Sequence, residues 1–385
     1  TMASVIRSGG QDMIGAARPS IADPFLPKKI EQGRSEDIRE CIGCNICYAH
    51  DSLGVPIRCT QNPTMGEEWR MGWHPERVPA AHTLDQVLVI GGGPAGLEAA
   101  RVLGEAGYSV MLAEASRTFG GRVSVESKLP GLSEWARVRD WRLGQLGKLD
   151  NVQLFPESPM TAKDILGLEV DHVLFATGST WAADTVGRHS ASGLSEQAPS
   201  MLISAETVLR GEKIEAEHVL IYDDDHYYMG SVIALALKSA GHRVTLVTSA
   251  GRPCEYGVYT GEIYASNARL FEAGVEVVTN KMVTALEPGH AVAECTMSGR
   301  VERLECDLMI PVCRRLPNLA LHDDFARLHE QGEAAAVRSF ARIGDANAPN
   351  TIAAAVYAGY RAGVELGKSV DLAEVYGRRE HPPAQ

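Results

Sequence analysis

The chain has 385 residues, 45% of them apolar and 22% charged, with 37 basic residues against 49 acidic for a net charge of −12. That length allows two or three domains of ordinary globular composition, and that charge argues against a general nucleic-acid binder and against docking on an anionic membrane surface. No apolar run approaches the roughly 20 residues of a membrane span, no secretory leader is visible, and eight cysteines, half of them clustered, suit a reducing cytoplasm better than a disulfide framework.

Residues 1–33 read as the end of something larger. The stretch 12–20 reads as a short strand running into a loop, and Pro24-Phe-Leu-Pro-Lys-Lys-Ile opens a helix with proline near its first turn. One strand and one helix bury no core alone. Residues 34–80 are loop-rich, punctuated by Pro56, Pro63 and Pro75, and carry Cys41-Ile-Gly-Cys44-Asn-Ile-Cys47 followed by Cys59. Three thiols from one loop and a fourth from nearby suit an iron–sulfur cube. Zinc sites usually pair one C-x2-C with a second, distant pair. Zinc, and thiols with only a packing role, stay open as alternatives. Cys254, Cys295, Cys306 and Cys313 share no such spacing and read as buried free thiols.

Residues 85–205 open with a strand, then Gly91-Gly-Gly93-Pro-Ala-Gly96, then a helix. Gly91 permits a tight turn, Gly93 lets the backbone approach a pyrophosphate, and Gly96 allows close helix–strand packing. A second strand over 108–113 ends at Glu114, about twenty residues on, where an acid binds ribose hydroxyls. A Gly-rich turn without ligand is the bland alternative, and the strand, helix and acid in register weigh against it. Phe119-Gly120-Gly121-Arg122 follows, as in proteins that hold an FAD pyrophosphate. A strand over 173–177 runs into Thr177-Gly178, and Gly344-Asp345 can bring a carboxylate to a ribityl chain, or Asp345 can simply cap the next helix. Together these resemble the two-domain flavoproteins of the glutathione-reductase type.

A second βαβ unit follows: a strand at 218–222, a helix near 229–240 and a strand at 243–248. Alternating strands and helices imply an α/β protein with parallel sheets. Where a nicotinamide nucleotide would need glycines, the turn reads Asp223-Asp224-Asp225-His226-Tyr227-Tyr228-Met229. Three carboxylates repel a pyrophosphate, and the missing glycines remove close backbone access. Residues 310–315 also lack the small-residue turn expected there. Tyr227 and Tyr228 read as packing, or as part of a surface for a protein acceptor.

These pieces in this order resemble the trimethylamine/dimethylamine/histamine dehydrogenase family, related to 2,4-dienoyl-CoA reductase and to flavin-dependent N-demethylating enzymes. The resemblance rests on residues 15–24, the Cys41–Cys59 motif, Asn62-Pro-Thr-Met-Gly66-Glu67-Glu, the Gly91–Gly96 fingerprint and the Asp-Asp-Asp-His-Tyr-Tyr-Met turn. It implies that residues 1–33 are the last βα unit of a truncated, FMN-binding TIM barrel, with Arg18 and the backbone at 16–17 in its last phosphate loop. It implies a 4Fe-4S segment at 34–80 on Cys41, Cys44, Cys47 and Cys59. An FAD- or ADP-binding domain follows at 81–205 plus 315–385, and a second, degenerate nucleotide-binding domain is inserted at 206–314. The implied function is an electron relay from FMN through 4Fe-4S to an electron-transferring flavoprotein or similar one-electron acceptor, serving a small amine substrate. The catalytic residues are then in the missing barrel. An NADPH-dependent 2,4-dienoyl-CoA or enoate reductase is the rival reading, and a non-catalytic electron-transfer subunit is another. Self-association is left open.

The degenerate turn predicts weak or absent NAD(P)H binding. Added to the intact enzyme, NADPH should leave the flavin absorbance unbleached in an anaerobic stopped-flow trace; rapid bleaching would overturn the expectation.

Overall fold

The structure, a computed structural model, describes residues 2–194 and 198–368. The stretch 369–385, expected to end the first nucleotide-binding domain, lies outside the described residues. The apolar run Gln86–Ile90 is the centre of a five-stranded parallel sheet ordered Ser339–Arg342, His172–Phe175, Gln86–Ile90, Ser109–Ala113, Val152–Phe155. Successive side chains point to opposite faces. Val87 and Val89 pack under the helix Pro94–Ala106, while Leu88 and Ile90 meet Phe175 and Phe325 on the other side. A strand covered on both faces must be apolar throughout, which is why it was so plain in the sequence.

A second parallel sheet runs Leu308–Val312, His218–Asp223, Arg243–Thr248, Glu276–Val278. Val219 and Ile221 fill one core, Leu220 and Tyr222 another. Its helix is Tyr228–Ser239, and an antiparallel meander, Lys281–Glu287, His290–Cys295 and Val301–Glu305, interrupts the parallel order. Two short strands, Ser179–Trp181 and Arg315–Pro317, pair where the chain leaves the first unit and returns to it. The architecture is α/β with two Rossmann-like units, as the alternation of elements requires. Among the described residues no helix is long and apolar enough to cross a membrane.

The strand expected within 12–20 does not form. Helices occupy Met2–Arg7, Ala17–Ala22 and Leu26–Glu31 instead. A strand needs a neighbour for its N–H and C=O groups, and none pairs with this stretch. Pro19 falls in a first helical turn, where its missing N–H is no loss. The helix after Pro24 does carry proline at its start.

Two helices and the cysteine segment meet at one buried carboxylate. Glu98, on the helix Pro94–Ala106, pairs with Arg101 at 2.5 Å and with Arg142 of the helix Ala136–Leu146 at 2.7 Å. Arg142 also holds Gln61 through its carbonyl (3.1 Å) and its side-chain oxygen (3.0 Å). Gln61 in turn donates to the carbonyl of Glu40 at 3.0 Å. Burial alone would raise the Glu98 carboxyl, but Arg101 and Arg142 outweigh it and hold it at about 2. The folded pKa is depressed, so this stability is present above the ordinary carboxyl range near pH 4.5 and is lost as pH falls toward 2. Glu98→Gln leaves the buried Arg142 guanidinium without its carboxylate and Arg101 with Glu105 alone. It should cost about 3–5 kcal/mol in urea unfolding at neutral pH, and the deficit relative to wild type should shrink between pH 4.5 and 2.

Candidate functional site

A cavity of about 740 Å³ opens at the C-terminal ends of the first sheet's strands, where parallel α/β folds bind ligands. Gly91 turns at φ +106°, and a Cβ there would lie 2.3 Å from the carbonyl of Ala176. A Cβ on Gly96 would lie 1.9 Å from the carbonyl of Gly91. Gly93 differs: its Cβ would meet nothing within 4 Å and would project into the cavity. Two glycines close the turn, and the third leaves space for a ligand against bare backbone, at the start of a helix of thirteen residues.

Glu114 lines the cavity, and its carboxylate also holds the turn together. It accepts from Gly92 N–H at 2.7 Å and from Ser116 N–H and hydroxyl at 2.8 and 2.7 Å. Gly121 turns at φ +52° and packs beside Gly93. Thr177 and Gly178 line the wall and are strapped to Asn318, whose side chain donates to the Thr177 carbonyl at 2.9 Å. Gly344, at φ +59°, supports from behind, its Cα facing Ala95.

The far end of the cavity is ionic and aromatic. Arg122 pairs with Glu126 at 2.5 Å and with Glu206 at 3.3 Å, and lies over the Trp181 ring. Arg315 also lies over Trp181 and pairs with Asp345. Asp345 accepts in addition from the Ser179 hydroxyl at 2.8 Å and from Asn350 N–H at 3.1 Å. It does not cap the next helix; Thr351 does. Trp181, Arg315 and Ser179 escaped the sequence reading because nothing but the antiparallel pairing of two distant strands brings them together.

The three aspartates of the second turn do not share one direction. Asp223 is buried, and burial pushes its carboxyl well up. Asp224 is buried too, and accepts from His189 N–H at 2.9 Å, His189 Nδ1 at 2.8 Å and the Ser249 hydroxyl at 2.6 Å. His226 Nε2 lies 2.7 Å from the same hydroxyl, completing a hydrogen-bonded clamp. A Cβ on Gly187 would lie 2.4 Å from Asp224, so the loop around His189 is pressed onto the turn. Only Asp225 faces the cavity. The expectation of three carboxylates facing a pyrophosphate is therefore corrected: one faces a cavity, and it is the first site's. Tyr227 and Tyr228 line that cavity as well, Tyr228 edge-on to Trp135 at 4.7 Å, so they are packing rather than outer surface.

The four clustered cysteines are all partly exposed and none is in a disulfide. Gly43 at φ +72° and Asn45 at φ +52° bend the loop, and the helix Ile46–Ser52 follows. Gly43 N–H points at Cys41 Sγ at 3.4 Å, and Cys44 Sγ lies 3.1 Å from the Thr60 hydroxyl. Cys59 takes the backbone N–H groups of Asn62 and Gln61. Burial raises Cys47 and Cys59 and pushes Cys44 up to about 12, and the four act on one another's charge. No three of these sulfurs lie within 4.8 Å of one another. Tetrahedral zinc at about 2.3 Å would draw them to roughly 3.8 Å. Arg18 pairs with Asn45 and acts on Cys47. Cys44 and Thr60 belong to the wall of the nucleotide cavity, whereas Cys41, Cys47 and Cys59 do not. Of the other thiols, Cys254, Cys306 and Cys313 are buried as expected. Cys295 is not: it ends the central strand of the meander, and hydrogen bonds from Ser298 and the backbone of Met297 lower it to about 7.

The description Pyridine nucleotide-disulphide oxidoreductase matches residues 85–343. The chain belongs to that family. It is similar to dimethylamine dehydrogenase of Hyphomicrobium sp. (strain x), 37% identical over 95% of this chain and 53% of that protein. The solved histamine dehydrogenase of Rhizobium sp. 4-9 superposes with a TM-score of 0.93 at 45% identity, over 96% of this chain and 57% of that one. The 6-hydroxypseudooxynicotine amine oxidase of Pseudomonas geniculata N1 gives 0.91 at 43% identity, over 95% and 55%. The chain thus spans little more than half the length of these relatives. It belongs to an oxidoreductase family and matches the C-terminal part of the dimethylamine and histamine dehydrogenase family.

The cavity geometry separates two glycines by role. Gly93→Val should leave urea stability within about 0.5 kcal/mol yet abolish ADP binding in calorimetry. Gly96→Val should cost about 1–3 kcal/mol or more by overpacking. Equal stability losses in both would contradict the open side of Gly93.

Proposed function

We propose that this chain is the electron-relay part of an amine dehydrogenase or N-demethylase. In this reading Cys41, Cys44, Cys47 and Cys59 hold a 4Fe-4S cluster, and the cavity holds the adenosine diphosphate portion of ADP or FAD. Substrate and FMN then belong to sequence outside this chain, with Arg18 at the FMN phosphate. The observation that carries the reading is the shared wall. Cys44 and Thr60 stand in the same chamber as Gly91, Glu114 and Asp345, so the thiol segment and the nucleotide site form one unit. Three cysteines from one loop with a fourth nearby suit a cluster better than a single zinc ion. When bound, the cluster supplies one-electron transfer without proton chemistry. This chain's part is to supply four thiolates, to keep them partly shielded from water, and to fix them against the nucleotide wall.

Three donors already converge on Asp345, which favours ADP over a ribityl-bearing FAD. The clamp of Asp224 on His189 keeps the second turn covered by the chain's own loop, which speaks against an NADPH-dependent reductase. An electron-transferring flavoprotein is the acceptor proposed.

Anaerobic treatment with iron and sulfide should give about four irons per chain and broad visible absorption. In the full-length protein Cys59→Ser should lose that absorption and the transfer to an external acceptor, while flavin reduction by amine survives. Persistent transfer without the cluster would sink the relay reading.

A further inference from the structure

We propose that His189, Asp224 and His226 form a site for a divalent transition metal, with zinc the ion their donor set suits best. The inference goes beyond the electron-relay reading and does not rest on it.

The three side chains come from two segments that the fold presses together. Asp224 and His226 belong to the turn after the strand His218–Asp223, and His189 belongs to the loop packed on that turn. One ligand atom from each residue lies within 4.8 Å of the other two. Asp224 Oδ1 is the focus: His189 Nδ1 lies 2.8 Å from it, the Ser249 hydroxyl 2.6 Å and His226 Nε2 3.4 Å. Nitrogen and oxygen ligands at about 2.0–2.1 Å from a tetrahedral zinc stand about 3.3–3.4 Å apart, so the trio needs only small shifts to close on an ion.

The trio is also held and reachable as a metal site requires. Asp224 Oδ2 accepts the His189 backbone N–H at 2.9 Å, which leaves Oδ1 for the rings. The Asp224 carboxylate is fully buried, and buried charges are paired or bind metals. His226 holds φ +63°, uncommon for a residue with a Cβ, and from there its ring reaches Ser249 and Asp224. Its side chain is 14% exposed and that of His189 39%, so an ion enters from the His189 side. Water or the Ser249 hydroxyl then fills the fourth position.

Hydrogen bonds alone also satisfy these groups, with the His189 ring proton on Nδ1. Metal binding needs that proton on Nε2 and the His226 proton on Nδ1. Both are ordinary tautomers of neutral imidazole, so the ion replaces ring hydrogens without charging or discharging either ring. Two imidazoles and one carboxylate suit zinc, whereas calcium and magnesium take oxygen ligands. None of the three residues lines the nucleotide cavity, while their neighbours Arg188, Asp225 and Tyr227 do. The ion thus lies behind that wall and ties the loop to the turn.

The test is a cobalt(II) titration of the chain followed by visible absorbance, with zinc chloride added afterwards as competitor, in wild type, His189→Ala and His226→Asn. Wild type should gain weak visible bands, free of sulfur-to-cobalt charge transfer, that saturate at about one ion per chain and vanish on adding zinc. Losing a ligand costs more than the roughly ten- to hundredfold of an outer-shell partner, so each variant should weaken this component about a hundredfold or more. Any cobalt on the clustered thiols shows near-ultraviolet charge transfer and is the internal control, equal in all three proteins. A wild type with no sulfur-free component overturns the proposal, as does such a component persisting in both variants. Neither result touches the cluster reading. Should the variants fail to fold, anomalous diffraction from a wild-type crystal soaked in zinc chloride decides. A peak between His189 Nδ1, Asp224 Oδ1 and His226 Nε2 upholds the site, and its absence overturns it.

Discussion

Glu98 is the point at which two otherwise separate constructions become one. Its carboxylate lies on the helix that opens the nucleotide site, and Arg142 carries its charge across to the cysteine segment through Gln61 and the carbonyl of Glu40. A carboxylate this deeply buried is tolerable only with both oxygens paired. That requirement fixes where the helix Ala136–Leu146 can sit, and with it the loops before Cys41 and after Cys59. The cavity exists because this arrangement holds the thiol segment against the fingerprint turn.

The second Rossmann-like unit keeps its sheet, and its turn helps to line the first unit's cavity. Its turn has no glycine at which a pyrophosphate could approach, and the loop around His189 is clamped there by Asp224 and Ser249. Asp225, Tyr227 and Tyr228, the residues just beyond, line the first unit's cavity. The unit thus works as a wall. Burial and partners decide this: Asp224 finds three donors within the fold, so its charge is satisfied without a ligand.

Much of this was legible in the sequence, for physical reasons that differ by element. The strand Gln86–Ile90 and its glycines could be read because a two-sided sheet and a backbone-lined turn each tolerate few residue types. Glu114 followed from the length of one helix and one strand. The cysteine spacing was legible because a single loop must place three sulfurs. What escaped depends on long-range placement. The strand expected at 12–20 needs a neighbour that local sequence does not reveal. Three adjacent aspartates look alike on paper, and only the turn of the backbone sends Asp223 and Asp224 inward. Nothing in the sequence singles out Arg142, whose partner Glu98 is 44 positions away. The one local hint was Glu98 and Arg101, three residues apart inside an otherwise apolar helix, a spacing that pairs them on a face with no water.

The two halves of the site are held by different forces. The nucleotide half is mostly backbone at the fingerprint turn: glycines without Cβ, a helix start, and N–H groups braced by Glu114. The thiol half is braced by charged side chains: Arg142, paired with Glu98, holds Gln61, and Arg18 holds Asn45. Backbone contact suits a ligand whose shape must be recognised but whose charge does not change. Placing Cys44 in the wall between the halves lets one rigid surface serve both.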